Sequence, residues 1–421
     1  MPETTNAKPF CVQFHDAVRR FPPRQPLRQL GSGLPEHPSF PNLKPLLAEG
    51  LSHLFDSGSI AEFGLSANHT VASELRQLLG DLLLEPIVDD QFLLTAGVSD
   101  GLSSIFEHCR DAELSVVLPL PCYFGYELAA RRAGVRIAAY YDAETGRFAW
   151  REQGGPVCLV VNTPDAISGH TLGVDGLRAV ELQLGGHLRL TAIDLICAMQ
   201  RFGTPTGLAS VGDLWKGSAA PRKALLFGVT KDLALPGLRA GLLVSDDTLL
   251  IERIRWGVLE RSFSAGVFVG VVMALYLHLL ASLEGCRSRD TIGSEVFGGL
   301  TGTVVADFME YRAMVASGCE RTRRLLEIAV PEVRFSSATN HAGYSTFVTV
   351  DDGVRGVDEV TNVARRLLAN GLQVNPTYMF GGDPVMWEAL RPGELHLRVN
   401  LSNWGEELRR DTREAVRALR S

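Results

Sequence analysis

Lysine is scarce in this chain: Lys8, Lys44, Lys216, Lys223 and Lys231 stand against 36 arginines in 421 residues. Any chemistry that needs a primary amine therefore has few side chains to draw on. Excess positive charge is missing too. The formal net charge is −7 and no local run of Lys and Arg offsets it, so a phosphodiester backbone finds no field to hold it and no nucleic-acid partner is expected. Paired cysteines are also lacking. Cys11, Cys109, Cys122, Cys158, Cys197, Cys286 and Cys319 are odd in number, scattered, and never in a C-x-x-C pair, which argues against a disulfide framework or a zinc site and leaves reduced, buried thiols; no metal is expected. The stretch Met1 to Arg20 has no apolar core of the kind a secretory signal needs, pointing to a cytoplasmic protein. Long hydrophobic runs are few. Val267–Leu283 is apolar, but it is 17 residues long and contains Gly270 and His278, so a buried helix is the better reading than a membrane span.

What remains is an ordinary globular composition, 46% hydrophobic and 21% charged, in a chain long enough for one large core and a smaller one. The first 50 residues carry Pro22, Pro23, Pro26, Pro35, Pro38, Pro41 and Pro45, and read as an extended arm and entry segment that contributes to the smaller domain. Residues 51–290 alternate short apolar runs with helical patterns: Gln91–Thr95, Ser115–Leu118, Val135–Tyr141, Val157–Asn162, Leu188–Ile193, Ala224–Gly228 and Ala240–Val244. That alternation predicts an α/β/α sandwich around a mainly parallel sheet, with ligands at the carboxyl ends of its strands. After a Gly-rich break, Ile292–Thr303, residues 291–421 hold an Arg- and Glu-rich helix, strands at Ser345–Val350, Leu372–Val374 and His396–Leu401, and a closing helix Glu406–Arg420. This is the expectation for a smaller α+β domain.

The most informative run is F-G-V-T-K-D-L-A-L-P-G-L-R-A-G, Phe227–Gly241. It puts Lys231 directly after a buried strand and before a Gly/Pro turn, where an amine points into a cleft and is partly desolvated. Burial disfavours ammonium, and a neutral amine condenses with an aldehyde. Eight residues on, Arg239 offers a planar, charged fork suited to a phosphate.

This run resembles the cofactor-lysine motif of the fold-type I pyridoxal-phosphate (PLP) enzymes, the class I/II aminotransferases. Its detailed form, K-D-x-x-L-P-G-x-R-x-G, is closest to that in aminotransferases and 1-aminocyclopropane-1-carboxylate synthases. The resemblance implies PLP as cofactor, held on Lys231 and Arg239. It places Asp194, in T-A-I-D-L-I-C, where the family has the carboxylate that pairs with the pyridine nitrogen; an Asp closing an apolar strand is otherwise a helix cap. T-A-G-V-S-D-G (Thr95–Gly101) resembles the phosphate loop, with Val98 and Ser99 as donors at a helix start. P-L-P-C-Y-F-G-Y (Pro119–Tyr126) matches the element that lays Tyr123 against the cofactor ring, a plain core tyrosine being the rival reading. E-L-H-L-R-V-N-L-S-N (Glu394–Asn403) resembles the strand whose arginine, here Arg398, clamps a substrate α-carboxylate; the alternative is an edge-strand Arg facing water. N-P-T-Y-M-F-G (Asn375–Gly381) is similar to the turn beside the substrate, and L-G-S-G-L-P (Leu30–Pro35), with Gly33, to the segment that closes over it.

The N-x-x-N-P-T-G loop of the family appears as N-T-P-D-A-I-S-G, Asn162–Gly169. Asn162 is retained as a cofactor contact, but Ala166 stands where an asparagine normally bonds the phenolic oxygen, and Cys197 where a tyrosine does. Asp165 is a possible substitute. Gly228 replaces a common phosphate-binding serine, with Thr230 available to compensate. The resemblance further implies an α-amino-acid substrate and a homodimer with shared sites, Phe63 falling where relatives place a tyrosine that crosses the interface. Transamination, with Lys231 moving the proton between substrate Cα and cofactor, is the leading expectation. The other readings are β/γ-elimination or replacement, S-adenosylmethionine being one substrate for it, decarboxylation or deamination in specialised biosynthesis, and a noncatalytic PLP-binding scaffold.

Overall fold

The computed structural model describes residues 8–20, 28–33, 40–58, 71–201, 209–262, 266–286, 296–297, 302–331, 333–335, 343–350, 356–402 and 406–421. In chain order the strands are β1 (Arg28–Gln29), β2 (Phe92–Thr95), β3 (Ser115–Pro119), β4 (Ile137–Tyr141), β5 (Phe148–Trp150), β6 (Val157–Asn162), β7 (Leu188–Asp194), β8 (Lys223–Gly228), β9 (Gly241–Ser245), β10 (Val333–Phe335), β11 (Ser345–Val350), β12 (Leu372–Gln373) and β13 (Leu395–Asn400). Eight of them build one sheet in the order β2-β9-β8-β7-β6-β3-β4-β5. Its centre is parallel, from β8 through β7, β6 and β3 to β4. Strands such as β6, V-C-L-V-V-N, are buried along their whole length, as a sheet covered by helices on both faces demands.

β9 runs antiparallel to both β8 and β2, so β2 points the same way as the parallel set. The carboxyl ends of β2, β3, β6, β7 and β8 therefore meet at one edge, where Asn162 lies beside Asp194 in register and Gly228 beside Gly241. Gly241 has to be glycine: a Cβ there would lie 2.7 Å from the Gly97 backbone, so β9 starts pressed against the turn that follows β2.

The apolar helix Val267–Leu283 is buried from Gly270 to Ser282. Its three polar interior side chains find partners, Tyr276 on Asp232 (2.9 Å), His278 on Glu74 and Ser282 on the His278 carbonyl (2.8 Å). Among the described residues no helix is long and apolar enough to cross a membrane. The seven cysteines are free thiols, all but Cys286 buried.

A second, antiparallel sheet has the order β10-β11-β13. The helix Glu406–Arg420 packs against it and against the long helix Gly302–Ala329. The N-terminal segment is more regular than its prolines suggest. Phe10–Arg19 is a helix that buries Cys11, Phe14 and Val18, a spacing that makes one apolar stripe, and it packs on the Val357–Ala369 helix. Residues 28–30 then lace onto the small domain. β1 pairs with β12, the Leu30 amide donates to Gln373 (3.0 Å), and the Asn400 amide donates to Leu30 (2.9 Å). The Gly-rich break Ile292–Thr303 and the Phe63 position lie largely or wholly outside the described residues.

Candidate active site

A cavity of about 510 Å³ opens at the carboxyl edge of the large sheet, between it and the small domain. Lys231, Thr230, Asp194, Asn162 and Arg239 line it from the large sheet's loops, with Val98, Ser99 and Tyr123 from the turns after β2 and β3. Gly33 and Arg398 close it from the N-terminal segment and β13. These ten residues thus face one space, although the set spans positions 33 to 398.

Lys231 sits in the one-turn helix Val229–Asp232 that follows β8. Burial lowers its pKa to about 8; the Arg398 charge pushes the same way, and Cys197 and Asp194 oppose it. Its Nζ donates to the Gly33 carbonyl, and a Cβ on Gly33 would lie 3.1 Å from that Nζ and 3.1 Å from Arg398 Nη1. A glycine is what lets the N-terminal segment come this close.

Asp194 closes β7 and is 3% exposed. Burial raises its pKa to about 6 against the pull of two donors: the Tyr126 hydroxyl, 2.6 Å from Oδ2, and the Ile196 amide, 2.9 Å from Oδ1. No Lys, Arg or His is paired with it among the described residues. A buried carboxylate held by neutral donors alone is an acceptor for a cationic N–H.

At the third corner, the helix Val98–Asp111 starts after Gly97. Its first intrahelical bonds are those of the Asp100 and Gly101 amides to the Gly97 carbonyl, so the Val98 and Ser99 amides precede the ladder and carry the positive end of the helix dipole. Arg239, in the left-handed region at φ 48°, lays its guanidinium alongside, with Nη2 donating to the Ala96 carbonyl (3.3 Å). Together they form an anion cradle.

Arg398 is braced from two sides. Nε donates to Ser345 Oγ on β11 (3.1 Å) and Nη2 to the Ala166 carbonyl (2.6 Å). Burial lowers its pKa to about 10, which leaves it a cation at neutral pH. Asn375 helps set the wall beside it by donating to the Gly31 carbonyl (2.6 Å).

Asn162 lines the cavity, yet its amide is spent on backbone: Nδ2 donates to the Asp194 carbonyl (3.0 Å) and Oδ1 accepts from the Ala166 amide (3.0 Å). It fixes Asp194 and the Ala166 turn to each other. Asp165 is not available to a ligand. Its carboxylate accepts from the Ile167 and Ser168 amides, 3.0 Å each, and from the Ser168 hydroxyl. Tyr123 is 43% exposed, and its ring stands edge-on to Tyr126, 6.1 Å between centroids.

Sequence reasoning missed Tyr126, and with it the reason the helix Phe124–Ala133 sits where it does. The same helix carries Glu127, 4% exposed, on which three remote segments converge. The Tyr140 hydroxyl and the Gly382 amide donate to Oε1, and the Cys11 thiol donates to Oε2 (3.1 Å). A glutamate in the first turn of a helix reads in sequence as a solvent-exposed dipole partner; only the tertiary fold turns it inward.

No protein-family model and no curated protein matches the chain. Solved structures do. An aminotransferase from Neisseria meningitidis is 18% identical, with 98% of each chain covered and a TM-score of 0.67. The aspartate aminotransferase from Rhizobium meliloti is 14% identical over 99% of this chain and 98% of that one, at 0.69. An aromatic aminotransferase from Pyrococcus horikoshii is 16% identical, with 97% of each covered, at 0.66. From end to end, the chain has the fold of these aminotransferases.

Proposed function

We propose that this protein is a PLP-dependent aminotransferase acting on an α-amino acid. The observation that carries the reading is the convergence on one cavity of an amine with a depressed pKa (Lys231), a buried carboxylate without a cationic partner (Asp194), an anion cradle (Val98, Ser99, Arg239) and a braced guanidinium (Arg398). These residues fit PLP at each functional end. When bound, that cofactor supplies an electrophilic aldehyde and a ring that accepts electrons from the substrate Cα.

Lys231, partly neutral near neutral pH, would hold the aldehyde carbon of the cofactor, and its amine is the base available to accept a proton from the substrate Cα and give it back to the cofactor carbon. Asp194 would keep the ring nitrogen protonated, and Tyr126 and Ile196 hold Asp194. The Val98 and Ser99 amides and Arg239 would bind the phosphate, and Thr230 lines the same cavity. Arg398, with Nη1 turned to the Gly33 side, takes the substrate α-carboxylate. Tyr123 lines the same cavity and would pack on the cofactor ring. The domain division at 1–50, 51–290 and 291–421 and a homodimer with shared sites belong to the same proposal; they are supported by the aminotransferase fold and by the path of the N-terminal segment over the cavity.

The test incubates the protein with PLP and single amino acids, then reduces it with borohydride and maps the labelled peptide. The reading expects a keto acid with pyridoxamine phosphate as products, a label on Lys231, and loss of label and yellow colour in Lys231→Ala. Ammonia, carbon dioxide or a thioether as the product, or a label elsewhere, overturns it.

A further inference from the structure

The cavity extends beyond the residues assigned above. Its outer part lies between two helices, Phe10–Arg19 and Phe124–Ala133, and is lined by His15 and Arg19 from the first and by Phe124, Leu128 and Arg132 from the second. Phe124, Leu128 and Arg132 recur every four residues, so they lie along one helix face. His15 stacks on Phe124, 6.4 Å between centroids and 27° between planes. Phe124 and Leu128 are 38% and 37% exposed, which is a high cost for two large apolar side chains unless something covers them. Arg19 and Arg132 end the apolar stretch, both exposed, and among the described residues neither has a hydrogen bond or an ion pair.

The charges of the cavity support one reading. Beside His15, whose pKa burial lowers, its lining holds five basic side chains, Arg19, Arg132, Lys231, Arg239 and Arg398, and a single carboxylate, Asp194. Resting on the PLP reading, Arg239 is matched by the cofactor phosphate, Asp194 by the ring nitrogen, and Arg398 by the substrate α-carboxylate. Arg19 and Arg132 are left over, at the far end of an apolar wall. We propose that they recognise an anionic group at the distal end of the substrate side chain, so that the preferred substrate is an α-amino acid with a several-carbon apolar chain ending in a carboxylate or phosphate. A short dicarboxylate leaves the Phe124 and Leu128 wall bare, and a long uncharged chain leaves the arginines unmatched.

The experiment compares, on the PLP-loaded protein, kcat/KM for 2-aminopimelate, for 2-aminooctanoate as the uncharged chain, for aspartate, and for a phosphonate-ended analogue of the same length. Two exposed guanidinium–anion pairs give a preference of roughly 5- to 30-fold for the long anionic substrates over 2-aminooctanoate. In Arg19→Gln/Arg132→Gln the ratio falls to near one. The carboxylate and phosphonate arms identify which anion is read. A wild-type ratio near one, or a ratio unchanged in the double variant, overturns the proposal. Binding of pimelate by calorimetry is read alongside, because it needs no turnover. If no amino acid reacts, the aminotransferase reading fails, yet pimelate binding lost in the double variant still upholds the anion site, and absence of wild-type binding removes it. Should the double variant not fold, Arg132→Gln alone gives a smaller change in the same direction, and no change overturns the proposal.

Discussion

Asp194→Asn should make the cofactor-free protein more stable and the loaded protein worse. The carboxyl of Asp194 has a pKa of about 6 in the folded chain and about 4 when unfolded. Between those values the folded state holds a proton that the unfolded state has released, so stability falls as pH rises through roughly 4 to 6 and stays lower above. The gap of about two pH units corresponds to on the order of 3 kcal/mol. Asparagine carries no such cost. Its carbonyl can still accept from the Ile196 amide, and the Tyr126 hydroxyl can turn to accept from the new amide instead of donating. With an unfolding entropy near 2.1 cal/mol/K per residue, a chain of 421 residues gains about 3 °C in melting temperature at pH 8. Calorimetric melts of wild type and variant at pH 4.5, 6 and 8, with and without PLP, test this. The cofactor-free difference should shrink below about 1 °C at pH 4.5, and PLP should raise the wild type far more than the variant. A variant melting at or below the wild type at pH 8, or an offset that does not change with pH, refutes the reasoning.

Three further outcomes are expected. With its pKa at about 8, the Lys231 amine is roughly one-tenth neutral at pH 7, against about one part in a few thousand for an ordinary lysine; the rate of PLP uptake by the cofactor-free protein should rise with pH and level off above 8, and a rise continuing past pH 10 contradicts the burial argument. Arg239→Ala removes the side chain of the anion cradle and should weaken PLP affinity by about 10- to 100-fold, roughly 1.5–3 kcal/mol for hydrogen bonds to a charged group, as read by fluorescence titration; an unchanged affinity places the phosphate elsewhere. Gly381→Ala puts a Cβ into the Cys122 sulfur at a φ of 75°, and should cost about 2–5 kcal/mol, seen in denaturant melts and partly restored by Cys122→Ala in the same chain.

The parallel core of the fold was legible because each strand is a short apolar run bounded by turn residues, and burial on both faces leaves that trace in composition. Phe148–Trp150 left none: it is three residues long and joins the sheet edge only by pairing with β4. The Phe10–Arg19 helix was hidden by the prolines that follow it, although Cys11, Phe14 and Val18 already mark its stripe. In the site, the residues picked from recognisable motifs line one cavity, because each motif fixes a side chain at the end of a strand or the start of a helix. Tyr126 was not among those picked. A buried tyrosine hydroxyl must find a partner, but that partner is 68 positions away on β7, and nothing local to Pro119–Tyr126 says which strand lies alongside. The same applies to Arg19 and Arg132, which matter only because two helices distant in sequence face each other across one opening.

Glu127 ties the helix Phe124–Ala133 to three other parts of the chain. The groups that meet it belong to the N-terminal helix, to β4 and, as a backbone amide, to the 381–382 turn, while Tyr126 of the same helix donates to Asp194 and Tyr123 at its start lines the cavity. Glu127 and Tyr126 are neighbours on one helix, so the contact that anchors the N-terminal helix sits beside the hydroxyl that steadies Asp194.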